Sequence, residues 1–146
     1  MNLALWLARS ARLRPDRPAL VTGTTVEASY ALWAGRAAAT AGALRGRFGV
    51  APGDRVALVM GNCTAYLEAL YGIWWAGAVA VPVNAKLHPL EVAWILGDAE
   101  AKLAFVSEPT GAALAPHLVG VSGLRELISV DGGGFAALRR ADPQEE

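Results

Sequence analysis

The chain has 146 residues, 54% apolar and 18% charged, which is one domain's worth of sequence with enough material for a sizeable core; it excludes a disordered chain. Thirteen basic and thirteen acidic side chains cancel, and no basic stripe stands out, which argues against nucleic acid as the main partner. Cys63, the only cysteine, can form no internal disulfide and fits a reducing, cytoplasmic compartment. His88 and His117 lie far apart in the chain without a ligand spacing, so no metal site is predicted.

The first segment, MNLALWLARSARLRP, is apolar, then basic, and free of acids. Its arginines follow the apolar stretch, the reverse of a secretory signal. A transit peptide or a membrane-lying helix shares that composition. The favoured reading is a packing helix capped by Asn2, with Leu3, Trp6, Leu7, Ser10 and Leu13 roughly on one face. Pro15 and Pro18 then lead into ALVTGTTVEASY, two short strands turning at Thr22-Gly23-Thr24-Thr25.

Ser29 caps the next predicted helix, in which Trp33, Ala37, Ala41, Leu44 and Phe48 recur at helical spacing. Pro52-Gly53-Asp54 is a turn before RVALVM, a run suited to a buried strand. Asn62 is expected to cap a helix to about Ala76, with Leu67, Leu70, Tyr71 and Trp74 as much of its apolar face. Gly77 ends it. VAVPV follows as a strand that is apolar throughout and therefore expected among the most buried. Pro89 and Glu91 suit the first turn of a helix to about Asp98. KLAFV is a strand, GAALAPHLVGV a weak helix broken by Pro116, and LRELISV the last strand. Residues 1–131 are thus read as one domain, and 132–146 as a flexible charged tail or linker: loop, with one helical turn as an option, then a charged end.

Strands alternating with helices predict an α/β fold: a mostly parallel sheet with helices on both faces, preceded by a short hairpin. The uncharged run Ala69 to Val83 falls short of the roughly twenty residues of a membrane-spanning helix, and Gly77 and Pro82 interrupt it. It reads as core, so no transmembrane segment is expected.

In such a sheet, ligands collect beyond the carboxyl ends of the strands. Three loops qualify: Gly61-Asn62, Asn84 to His88, and Asp131 to Gly134. MGNCTA has one glycine and no following lysine, so capping is favoured over a phosphate loop. DGGGF reads as a flexible loop, and VTGTT belongs to the hairpin. Lys86 follows a buried strand and precedes a helix, a place where a cation meets phosphate; a solvated surface lysine is the alternative. No catalytic triad has its partners at motif spacing.

The segments GVAPGDRVAL, NCTAYLEA and AGAVAVPVNAKLHPLE, set within residues 2–130, resemble the N-terminal region of AMP-forming acyl-CoA synthetases. These belong to the adenylate-forming superfamily, with luciferases and peptide-synthetase adenylation domains; VPVNAKL looks more like the acyl- or aryl-CoA members. The resemblance implies a two-step ligase reaction, with ATP, Mg²⁺ and coenzyme A as its cofactors and fatty-acid or related metabolism as its setting. The family's phosphate loop, adenine motif, ribose-binding aspartate and C-terminal catalytic lysine have no counterpart in these residues. No catalytic residue is therefore carried over, and the chain alone is expected to be inactive. Only Lys86, within Asn84-Ala85-Lys86-Leu87, matches the basic position that approaches the nucleotide end of coenzyme A in some members. Leu32 departs from the family's frequent glutamate, which removes a reciprocal cap partner. The expected partner is the remainder of a synthetase beyond residue 146, a homologous synthetase, or a second copy of the chain. A noncatalytic interaction module retaining the fold is the alternative.

Overall fold

The structure, a computed structural model, describes residues 2–140. Its elements in chain order are α1 (Ala4–Leu13), β1 (Pro18–Thr22), β2 (Thr25–Ser29), α2 (Tyr30–Gly46), β3 (Arg55–Val59) and α3 (Thr64–Trp75). There follow β4 (Val79–Pro82), α4 (Pro89–Asp98), β5 (Leu103–Val106), α5 (Glu108–Leu114) with a 3₁₀ turn at Ala115–His117, β6 (Glu126–Ser129) and α6 (Gly133–Leu138). The hairpin β1–β2 is antiparallel, and Gly23 at its turn takes φ +59°, a conformation that favours glycine. The other four strands form one parallel sheet in the order β4-β3-β5-β6. The predicted α/β architecture with its N-terminal hairpin is therefore what the chain adopts.

Strand periodicity explains why β3 and β5 are apolar at consecutive positions. Val56, Leu58, Leu103 and Phe105 point to one face, where they meet α2, α3 and α6 through Leu44, Ile73 and Phe135. Ala57, Val59, Ala104 and Val106 point to the other, against Val92, Leu96 and Leu114 of α4 and α5. Central strands covered on both sides have no solvent face to mark with polar residues. Phe105 and Phe135 pack edge to face with ring centres 5.7 Å apart, which fastens α6 to the sheet.

Several local expectations are corrected. β4 is an edge strand, and Val79 is 47% exposed instead of being among the most buried residues. The chain crosses over β3 on its way from β4 to β5, which leaves β4 with one neighbour. In α1 the inward residues are Ala4 and Leu7, with Ala11 half-buried, while Trp6 and Leu13 face solvent. Asn2 stands one residue before the N-cap position, Leu3; its Oδ1 accepts from the Ala4 N–H at 2.9 Å and its Nδ2 donates to the Trp74 carbonyl at 2.8 Å. Cys63, not Asn62, is the N-cap of α3. The buried residues of that helix are Glu68, Ala69, Gly72 and Ile73, whereas Leu67 is exposed and Leu70, Tyr71 and Trp74 are half-buried. The stretch read as a tail begins with α6, which buries Phe135 and Leu138; residues 141–146 lie outside the described part.

Glu68 ties these layers together. Its carboxylate is 1% exposed and accepts from Arg36 of α2 at 2.7 Å and from Arg139, at the end of α6, at 2.5 Å. A carboxylate at this depth is tolerable because both oxygens have cationic donors.

Candidate functional site

The connection from β3 passes to α3 on one face of the sheet, and that from β4 passes to α4 on the other. Neighbouring strands whose connections leave in opposite directions open a crevice beyond their carboxyl ends. The structure has that crevice: a cleft of about 400 Å³ lined by Met60, Gly61, Asn62, Tyr66, Pro82, Val83, Asn84, Ala85 and Lys86. Two of the three loops singled out in the sequence, Gly61-Asn62 and Asn84 to His88, are thereby brought together, the second through its first three residues, Asn84 to Lys86. The third stays apart. Asp131 Oδ2 accepts the Glu108 N–H at 2.6 Å, so that loop supports the start of α5.

Lys86 is exposed and is the one charged side chain among the described residues lining the cleft. Its ammonium joins none of the ion pairs among the described residues. Asn84 shapes its loop: Oδ1 accepts the Lys86 N–H at 3.0 Å, and the Asn84 carbonyl accepts the Leu87 N–H at 3.2 Å. Asparagine stabilises such a turn because its side chain stands in for a backbone acceptor. His88 then ends the loop as the N-cap of α4. Its Nδ1 accepts the Leu90 N–H at 3.2 Å, and Glu91 Oε2 accepts the His88 N–H at 2.9 Å. The reciprocal pair fixes where the loop stops and the helix begins.

Outside the residues that line the cleft, Thr64 at the first turn of α3 donates to Glu27 Oε2 at 2.6 Å. This helix start thus already has an anion beside it, which the helix dipole favours. The Glu27 carboxyl is held below its ordinary value, first by the Thr22 hydroxyl, then by that of Thr64, with the Arg36 charge adding to both.

Sequence reasoning missed two features. Tyr66 lines the cleft; its place one turn into α3 put it within reach once Gly61-Asn62 was chosen. The two histidines, separate in sequence, have ring centres 6.2 Å apart because the 3₁₀ turn at Ala115–His117 packs on α4. Nothing in their spacing signals that contact. Among the described residues no group of three or more His, Cys, Asp and Glu side chains is arranged to hold a metal.

A family model described as AMP-binding enzyme matches residues 7–145. Curated relatives include a feruloyl-CoA synthase of an Amycolatopsis species, 42% identical over 102 residues, and the long-chain-fatty-acid–CoA ligase FadD13 of Mycobacterium tuberculosis, 36% identical over 110 residues. The alignments cover 70% and 75% of this chain but only 20% and 22% of those relatives. The N-terminal domain of FACL13 from Mycobacterium tuberculosis superposes with a TM-score of 0.87 and 30% identity, covering 100% of this chain and 38% of that one. The anthranilate CoA ligase AuaEII, solved with anthranoyl-AMP, gives a TM-score of 0.90 at 25% identity, over 100% of this chain and 28% of that one. The chain belongs to the AMP-binding enzyme family and has the N-terminal fold of its acyl-CoA ligases.

Proposed function

We propose that this chain is the N-terminal α/β part of an AMP-forming acyl-CoA ligase. In the first step a carboxylate oxygen attacks the α-phosphorus of ATP, giving an acyl-adenylate and releasing pyrophosphate. In the second, the coenzyme A thiol, losing its proton, attacks the acyl carbon and AMP leaves. The observation that carries this reading is the match to CoA ligases in both sequence and fold across the described chain. Adenylation serves the chemistry by converting a poor leaving group into a good one, and it requires stabilised phosphate charge.

This chain's contribution is a shaped, mostly uncharged cleft with a single cation at its lip. Lys86 is the residue we assign to a phosphate oxygen of coenzyme A, a role supported by an ammonium outside every ion pair among the described residues and by a turn held by Asn84. No residue here is assigned to the ATP phosphates or to Mg²⁺; those groups belong to the remainder of the synthetase. The free edge of β4, Val-Ala-Val-Pro without a charge, is the surface we assign to that remainder. ATP–pyrophosphate exchange with a panel of carboxylic acids tests the division of labour. The 146-residue chain is expected to stay at background, and robust exchange by it would place the adenylating groups in this part after all.

A further inference from the structure

Two patches of large apolar side chains stand in solvent, and their charges differ. On α4, Leu90 and Trp94, with Val119 beside Trp94, are accompanied by exposed Glu91 and Asp98, while Glu100 beyond the helix is paired with Arg55. On α1, Leu5, Trp6 and Leu13 are 62%, 61% and 68% exposed, and a groove bordered by Leu5 and Leu13 is also lined by Arg9 and Arg12. Arg14 and Arg17 follow, both exposed, and the only acid in the first seventeen residues is Asp16. None of these four arginines joins the ion pairs among the described residues.

Helical geometry explains why the apolar and basic residues share a face. At 100° per residue, Ala4, Leu7 and Ala11 form one stripe, which is turned inward against α2 and α3. Leu5, Trp6, Arg9, Arg12 and Leu13 fall on the opposite side. The helix cannot roll to hide them, because Asn2 is hydrogen-bonded to the Trp74 carbonyl and Leu7 is buried. Leucine and tryptophan side chains interspersed with arginines form a surface that lies in the headgroup layer. There the apolar parts enter the acyl boundary, while the guanidinium groups reach lipid phosphates. Ten residues make a helix about 15 Å long, which can lie on a bilayer but not cross it.

We propose that the outward face of α1, with Leu5, Trp6 and Leu13 set among Arg9 and Arg12, docks this protein on an anionic lipid surface. Charge complementarity selects α1 over the acidic α4 patch, which an anionic bilayer repels. The proposal is independent of the ligase reading, because it concerns the surface of α1 and not the cleft.

Co-sedimentation with vesicles tests it, comparing phosphatidylcholine alone with phosphatidylcholine containing phosphatidylglycerol. The chain is expected to pellet with the anionic vesicles and much less with the neutral ones, and to lose binding as salt is raised. The double variant Arg9→Gln/Arg12→Gln is expected to weaken partitioning roughly 25-fold, at about five-fold per arginine. Trp6→Gln/Leu13→Gln is expected to weaken it by about ten-fold or more. Both variants change exposed side chains only. Leu90→Gln/Trp94→Gln is expected to bind like the wild type. Absence of binding to anionic vesicles, or binding unchanged in the α1 variants, would overturn the proposal. So would a change of oligomeric state by Trp6→Gln/Leu13→Gln without any vesicle binding, which would make this face a protein contact.

Discussion

Glu68 and Arg139 are 71 residues apart in the chain and meet at 2.5 Å. Arg36 holds the other oxygen, so one carboxylate joins α2, α3 and α6. The two arginines are 27% and 26% exposed, whereas the glutamate is 1% exposed. Neutralising the glutamate removes both charge-assisted pairs at once and turns an amide N–H₂ toward one of the guanidinium groups; removing one arginine leaves the carboxylate still paired with the other. Glu68→Gln is expected to lower the free energy of unfolding by about 2–4 kcal/mol, measured by urea denaturation. Arg139→Gln should cost less, since Arg36 remains, and should loosen α6 first, visible as faster amide exchange at Phe135 and Leu138. Equal losses from the two variants would show that Arg36 does not compensate.

Gly72 sits where α3 crosses α2. A methyl group there would lie 2.7 Å from Thr40 Cγ2 and 2.8 Å from Thr40 Cβ, and Thr40 is itself fully buried. The two helices approach this closely only because position 72 has no side chain. Gly72→Ala is expected to destabilise by about 1–3 kcal/mol despite the better helix propensity of alanine. Thr40→Ala should give little relief, because its Cβ remains in the way. Thermal melts of the single and double variants check both statements.

Glu27 gives a pH dependence with a definite sign. Its folded-state value lies below the ordinary 4.5, chiefly through the Thr22 and Thr64 hydroxyls. A lowered carboxyl stabilises the fold above its unfolded value, and that contribution fades as pH falls through the folded one. The stability difference between wild type and Glu27→Gln is therefore expected to be constant near neutrality and to shrink below about pH 4.5. Carboxyl titration by NMR provides a direct readout: Thr22→Val should move Glu27 back toward the ordinary value, and more so than Thr64→Val.

Much of the fold was legible because β3 and β5 carry uninterrupted apolar runs and helices of crossover length separate the parallel strands. The position of β4 was misread for a reason that was present in its sequence. Composition alone made VAVPV look central, but Pro82 has no N–H to donate to a second neighbour, which marks an edge strand. The face of α1 was misread because two stripes at helical spacing run through Leu7: the one with Trp6 and Leu13 was chosen, but the one with Ala4 and Ala11 is inward, since its small side chains permit the close approach to its neighbours. The cleft was half legible. Its loops could be chosen from strand ends, but which two adjoin depends on strand order. The Glu68 network and the His88–His117 contact could not be read, since each joins elements whose separation in sequence says nothing of their distance.

Lys86 makes the sharpest functional prediction. It stands at the lip of the cleft, on a turn fixed by Asn84 on one side and by the His88–Glu91 cap on the other. Coenzyme A carries several negative charges at its nucleotide end, and an exposed lysine–phosphate contact is worth about 1 kcal/mol, less at high salt. In the proposed full-length ligase, Lys86→Ala is therefore expected to raise KM for coenzyme A several-fold. Adenylate formation should be nearly unchanged, because that half-reaction precedes entry of the thiol. Lys86→Arg should retain most of the affinity, whereas Asn84→Ala, which frees the turn but keeps the cation, should fall between the two. The comparison that isolates the contact uses coenzyme A and its form lacking the 3′-phosphate. If Lys86 reads that phosphate, wild type distinguishes the two and Lys86→Ala loses most of the distinction. An unchanged preference with a normal KM would leave Lys86 as a solvated surface lysine, and the cation for coenzyme A would have to come from elsewhere in the synthetase.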